Sequence, residues 1–172
     1  LNAAAAAAAC LAVGVDLAEV AKGLGSVQPV PGRLNLLKSD AGWTVIDDTY
    51  NANPASLYSA LKVLAGMQGK PWLALGDMKE LGENSRKMHR EVGEAAKSMG
   101  VRRLFTTGDL ARHTADAFGP GAQHFESREE LAEALRAGLK PGVICLVKGS
   151  RSMGMEAVVR SITDGKAWKE AS

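Results

Sequence analysis

The spacing of apolar residues changes character near residue 33, and the chain divides there. In NAAAAAAACLAV (2–13) almost every position is small and apolar, and alanine dominates. Alanine loses no side-chain entropy in a helix, so this stretch predicts one. Gly14 ends it, and Asp16 is placed to cap a second, shorter helix over LAEVAKGL. QPVPGR (28–33) follows, with two prolines and a glycine in six residues, the composition of a hinge.

Beyond the hinge, runs with a period of two alternate with runs of period 3.6. RLNLLK alternates weakly and predicts an edge strand; WTVIDD predicts a buried strand. PASLYSALKVLAGM is a helix with Leu57, Ala60, Leu61 and Leu64 on one face. PWLALGD is a strand, and NSRKMHREVGEAAKSMG a helix with Met88, Val92, Ala96 and Met99 inward. VRRLFTTG, AQHFE and GVICLVKGS are strands. Between and after them lie the helices DLARHTADAF, SREELAEALRAGL (a capping box from Ser127 to Glu130) and SMGMEAVVRSI, which turns Met155, Val158, Val159 and Ile162 inward. Five strands thus alternate with five helices after the edge strand. That order predicts an α/β fold: a doubly wound, mainly parallel sheet with helices on both faces. The stretch from Gly165 onward reads as a frayed tail.

Ligands of such sheets bind outside the carboxyl ends of the strands. Three exits carry unusual chemistry. In VIDDTYNANPAS (45–56), Asn53 is a candidate N-cap and Pro54 suits the first helical position. Asp47 and Asp48 are adjacent strand residues, so they point to opposite faces and only one reaches a given ligand. The other reading is that both acids cap local N–H groups. GDMKELG places Asp77, Lys79 and Glu80 between glycines, either as a ligand-approach loop or as a solvated charged turn. KGSRSMG offers Lys148, Ser150, Arg151 and Ser152 to an anion, or is a capping loop with solvated cations.

Composition narrows the classes. The 172 residues are 46% hydrophobic and carry a net charge of +2, with no basic stripe interleaved with aromatics, so nothing points to nucleic acid. The apolar N-terminal run is too short and alanine-rich for a membrane span, and lacks the basic start of a signal peptide. Cys10 and Cys145 have no metal-like spacing and read as buried thiols of a reducing cytoplasm. His89, His113 and His124 show no ligand spacing and read as structural or surface residues.

VPGRL, DDTYNANPAS, LGDMKELG, HREVG and VKGSRSMGMEAVV, in this order and spacing, resemble the C-terminal domain of the Mur ligases. Within that family the likeness is to the branch that joins D-Ala-D-Ala to UDP-MurNAc-tripeptide, and it runs from Leu1 to about Ile162. The resemblance implies a Rossmann-like domain over 34–165, a hinge at 29–33, the helical end of a truncated central ATPase domain over 1–28, and a tail at 166–172. It implies an ATP-dependent, amide-forming ligase of peptidoglycan precursor synthesis. There ATP and Mg2+ turn the tripeptide carboxylate into an acyl phosphate, which the amine of D-Ala-D-Ala attacks.

Asn2 matches the last asparagine of an element that touches the nucleotide. Arg33 matches the hinge arginine that reaches the ATP phosphates, and Asp48 the strand-end aspartate that contacts the ribose. Arg33 and Asp48 are therefore the candidate catalytic residues, with Asn2 beside them in nucleotide binding. Asn51, Asn53, Lys148, Ser150 and Arg151 would line the cleft for the dipeptide. The P-loop and the Mg2+ ligands would lie on missing N-terminal and central domains, so the chain alone is expected to fold without ligating. Its alanine helix would expose apolar surface, and exchange of Asp48 would weaken catalysis without unfolding, since a strand-exit carboxylate contributes little to the core. Two other classes compete: a stand-alone nucleotide-binding α/β module, and a receiver-type phospho-signalling domain, which would need its phospho-acceptor after the third strand.

Overall fold

The computed structural model describes residues 2–28, 30–163 and 168–170. The chain separates into two units, Leu1–Val30 and Pro31–Ser172. In the first, α1 (Asn2–Ala12) is followed by α2 (Leu17–Gly25), whose N-terminus is capped by Asp16 Oδ1 accepting from Ala18 N–H at 3.2 Å. Val20 is the one hydrophobic residue buried among those described in this unit; Leu11, Val13, Leu17 and Val27 are exposed. The apolar face expected to lie open does so.

The second unit holds a seven-stranded sheet in the order β5-β4-β3-β6-β2-β1-β7. Its parallel part comprises β2 (Thr44–Asp48), β3 (Lys70–Gly76), β4 (Arg103–Thr107), β5 (Ala122–Phe125) and β6 (Val143–Lys148). β1 (Asn35–Ser39) runs antiparallel to β2, and β7 (Trp168–Glu170) antiparallel to β1. β1 is therefore not the edge strand its weak alternation suggests. Trp168–Glu170, expected to fray with the tail, forms a strand; the rest of that tail lies outside the described residues.

The parallel strands are apolar on both sides, and alternate residues enter two separate cores. Ile46, Leu73, Leu75, Leu104, Ile144 and Leu146 pack with α3 (Pro54–Ala65), α4 (Ser85–Ser98) and the end of α5 (Ala111–Phe118). Val45, Trp72, Ala74, Phe105, Val143, Cys145 and Val147 pack with α6 (Arg128–Gly138) and α7 (Glu156–Thr163). Both faces are thus wound with helices, as expected. Burial pushes the Cys145 thiol up to about 12, so it is an inert core group.

Two local expectations are corrected. The inner row of α4 is His89, Val92, Gly93 and Ala96, with Met99 packed half-buried against the same core as expected, while Met88 does not join it. At α6, Ser127 Oγ accepts from Glu130 N–H at 3.2 Å, but the Glu130 carboxylate turns to Glu126 N–H at 3.1 Å. The reciprocal half of the capping box is displaced by one residue.

α3 leaves β2 on one face and α7 leaves β6 on the other, although these strands are neighbours. The chain therefore parts above the carboxyl ends of β2 and β6 and opens a crevice there.

His89 Nε2 accepts from Met78 N–H at 3.0 Å, and its Nδ1 lies 2.7 Å from the Ser85 carbonyl, to which it donates. Burial pushes its pKa below the ordinary 6.5, against the opposing pull of the Ser85 carbonyl and Asp77. The unfolded chain then binds the extra proton first, so stability holds above pH 6.5 and is lost as pH falls toward the folded value. Tm recorded from about pH 7.5 down to about pH 5 should decline, and His89→Gln should remove part of the slope. The remainder belongs partly to His124, which burial moves the same way.

Gly93 sits where α4 meets α5. A Cβ there would collide with the Thr114 carbonyl oxygen and approach Ala117 Cβ to 3.1 Å. Gly93→Ala should cost about 1–3 kcal/mol by forcing the helices apart, read from chemical unfolding.

Candidate functional site

Asp48 ends β2 and Lys148 ends β6, in register with each other. Lys148 is only 2% exposed, and its ammonium donates to Asp48 Oδ2 at 2.6 Å and to the Asn51 carbonyl at 2.8 Å. The other Asp48 oxygen accepts from Leu34 N–H at 3.3 Å. Leu34 stands in the left-handed region with φ 54°, where a leucine needs such a hold. One carboxylate thus ties together the ends of two strands and the turn that carries Arg33.

Around this pair lies a cleft of about 470 Å³. Arg33, Asp48, Tyr50, Asn51, Asn53, Ser56 and Lys148 are on its wall. The Arg33 guanidinium rests over the Tyr50 ring, 4.2 Å from its centre, while Arg33 N–H donates to Asn35 Oδ1 at 3.0 Å. Asn53 caps α3 through a true capping box: its Oδ1 accepts from Ser56 N–H at 2.9 Å, and its own N–H donates to Ser56 Oγ at 3.1 Å. Asn51 Oδ1 accepts from Ala52 N–H at 2.8 Å. A carboxylate has about four acceptor sites, and Asp48 uses one on each oxygen. It keeps the capacity to accept from a ligand's hydroxyls.

Asp47 points the other way, as the strand pleat requires. Its Oδ1 accepts from Thr49 Oγ1 at 2.6 Å and from Thr49 N–H at 3.2 Å, so it is the acid that caps its own turn. It faces a second hollow of about 300 Å³ with Arg151 and Glu156. Arg151 belongs to this hollow, not to the first cleft; it pairs with Glu156 at 3.6 Å and its guanidinium lies 6.0 Å from the centre of the Tyr50 ring. Ser150 lines neither space. Its Oγ accepts from Lys79 N–H at 2.7 Å and donates to the Ala52 carbonyl at 3.4 Å. Lys148 is not the solvated corner cation that its glycine-serine surroundings suggest. The side chain of Asn2 lies outside the described residues.

The second exit is structural. Asp77 is 1% exposed. Its Oδ1 accepts from Leu110 N–H at 3.0 Å and Ala111 N–H at 2.8 Å, and its Oδ2 from the Lys79 ammonium at 2.7 Å. It is the anion at the start of α5, which has no side-chain cap of its own. Gly108 turns past it with φ 103°, where a Cβ would strike the carboxylate. Lys79 and Glu80 of the charged turn are exposed, but Asp77 is buried and closed to the phosphoryl chemistry of a receiver.

Sequence reasoning missed Tyr50 as a site residue, although it lies between the two acids and the two asparagines. It also missed Ser56 and Ser59 on the cleft wall, one helical turn into α3. Among the described residues no group of three or more His, Cys, Asp or Glu side chains is placed to hold a metal. The one cleft carboxylate, Asp48, is already paired to an ammonium, so these residues do not fit a Mg2+ site.

Residues 32–151 match the family model described as Mur ligase, glutamate ligase domain. The UDP-N-acetylmuramoyl-tripeptide–D-alanyl-D-alanine ligase of Escherichia coli (strain K12) is 40% identical over 165 residues, covering 95% of this chain and 36% of that protein. Its Bacillus subtilis (strain 168) counterpart is 32% identical over 171 residues, covering 95% and 37%. A solved structure of MurF from Acinetobacter baumannii aligns with TM-score 0.84 and 31% identity over 95% of this chain and 37% of that one. MurF from Thermotoga maritima in complex with ADP aligns with TM-score 0.77 and 28% identity over 90% and 35%. The chain spans about a third of the length of the relatives it matches. With the family model matched from the hinge to the turn after β6, and such relatives matched along almost its whole length, this chain belongs to the Mur ligase family.

Proposed function

We propose that the chain is the C-terminal part of an ATP-dependent ligase that adds D-Ala-D-Ala to UDP-MurNAc-tripeptide in bacterial cell-wall synthesis, and that its cleft forms one wall of the nucleotide site. The observation that carries this reading is the crevice at β2 and β6, where Asp48, Arg33 and Tyr50 meet. Arg33 offers a forked cation to phosphate. Asp48 offers free acceptor sites to ribose hydroxyls, and so sits beside phosphate without opposing it. Asn51 and Asn53 present amide N–H groups that their backbone bonds leave unused. Such a site works by positioning and by neutralising charge as an acyl phosphate forms and is attacked by an amine. Magnesium, when bound, would balance phosphate charge from ligands outside these residues.

Lys148 acts in this reading through Asp48 and the Asn51 carbonyl, holding both in place, instead of touching the dipeptide. Arg151 and Glu156 are the better candidates for the two charged ends of D-Ala-D-Ala, since they line one hollow with opposite charge. The 28–33 segment is the proposed hinge, and the reaction belongs to the cytoplasm, where ATP and the UDP-linked substrate are made. Among the described residues no helix is long and apolar enough to cross a membrane. The chain alone has no cradle for the β- and γ-phosphates and is proposed to bind nucleotide only at about millimolar strength, without turnover.

In the full-length ligase carrying this chain, Arg33→Ala should raise the KM for ATP or lower kcat on the order of tenfold, measured as phosphate release. Unchanged kinetics toward both ATP and dipeptide would remove Arg33 from the site. On the chain itself, ADP titration followed by NMR should move the amide signals of Leu34, Tyr50 and Asn51; shifts confined elsewhere would refute the cleft.

Lys148→Met leaves the Asp48 carboxylate without its buried partner and should destabilise by about 3 kcal/mol. Asp48→Asn should also destabilise, contrary to what a strand-exit acid suggests, because it strands the more deeply buried ammonium. The double variant should recover part of the loss, and purely additive losses in urea melts would show that the pair is not coupled.

A further inference from the structure

We infer a second anion site at the opposite end of the sheet, a cleft for a compact oligophosphate formed by Lys70, Arg102, Arg103 and Lys140. These four cations come from three separate segments, the starts of β3 and β4 and the turn after α6, so no basic run marks them in the sequence. Folding gathers them around one hollow of about 490 Å³ that no carboxylate lines. Among the described residues none of the four forms an ion pair. Arg112, by contrast, finds Glu126 at 2.8 Å.

The hollow is built, not merely charged. Its rim is fixed by backbone bonds from Lys70 N–H to the Gly142 carbonyl at 2.7 Å, Arg102 N–H to the Pro71 carbonyl at 2.8 Å, and Val143 N–H to the Lys140 carbonyl at 3.1 Å. The Arg103 guanidinium is held over Trp72 and Phe105, 5.2 and 5.0 Å from their centres, and donates to Gln123 Oε1 at 2.9 Å. Gly138 forms part of the wall, and a Cβ there would approach the Trp72 ring to 2.9 Å.

Ligand class follows from charge and shape. Four unpaired cations around a small hollow favour several negative charges on few atoms, and guanidinium forks suit phosphate oxygens. Trp72 is 3% exposed and roofed by Arg103, so no aromatic face remains for a base to stack on. A compact oligophosphate fits where a nucleic acid strand does not. The site lies at the strand starts, whereas Asp48 and Lys148 lie at strand ends, so it is separate from the nucleotide cleft.

Calorimetric titration of the chain with inorganic tripolyphosphate at about 0.15 M salt tests this. Saturable one-to-one binding should persist in Arg33→Ala, which disarms the nucleotide cleft. It should weaken about tenfold or more in the Arg102→Ala, Lys140→Ala double variant. A charge-matched control, Lys62→Ala with Arg86→Ala, removes two exposed cations from α3 and α4 and should leave it intact. Equal weakening in both double variants would reveal only a counterion atmosphere. Loss in Arg33→Ala, or no saturation in the unaltered chain, would likewise overturn the inference.

Discussion

The ammonium of Lys148, held under the cleft by the Asp48 carboxylate, is the constraint on which the site depends. Two parallel strands whose helices leave on opposite faces must part at their ends, and parting exposes backbone. Here the gap is closed by a buried ion pair that also takes up the Asn51 carbonyl and the Leu34 N–H. Such a pair gains little net stability, because both charges leave water. Its worth is geometric. It fixes the turn bearing Arg33 and the turn bearing Asn51 relative to one another, so the cleft has a set shape before any ligand arrives.

That arrangement divides labour among groups that look alike in the sequence. Asp47, Asp48 and Asp77 all follow strands. Asp47 serves its own turn, Asp48 keeps acceptor sites on the cleft that holds Arg33, and Asp77 serves the start of α5. The difference comes from the pleat for the first two and from a distant helix for the third. In each case a formal charge is offset by specific N–H groups or one ammonium.

The architecture was legible because the parallel strands are apolar on both sides and the helices carry period-3.6 faces. Asp47 and Asp48 could be assigned to opposite faces from the pleat alone. What stayed hidden depended on contacts between segments far apart in the chain. Lys148 read as a loop cation because its partner lies a hundred residues earlier. His89 displaced Met88 from the inner row of α4 because the Met78 N–H offered it a buried acceptor's role, which no local pattern encodes. Glu130 bypassed the Ser127 N–H and took that of Glu126. β7 was missed because a strand of three residues has no period to detect and forms only by pairing with β1.

Three strand exits are stitched into one. Ser150 N–H donates to the Asp77 carbonyl at 2.9 Å, Lys79 N–H to Ser150 Oγ, and Ser150 Oγ in turn to the Ala52 carbonyl. The loops after β2, β3 and β6 are therefore joined through the N–H and the hydroxyl of a single serine. All three contacts end on backbone atoms of Ala52, Asp77 and Lys79, so loss of the Ser150 hydroxyl leaves the Lys79 N–H and the Ala52 carbonyl unmatched whatever side chains stand there. One serine is thereby the joint of three loops, and the three must be kept or lost together.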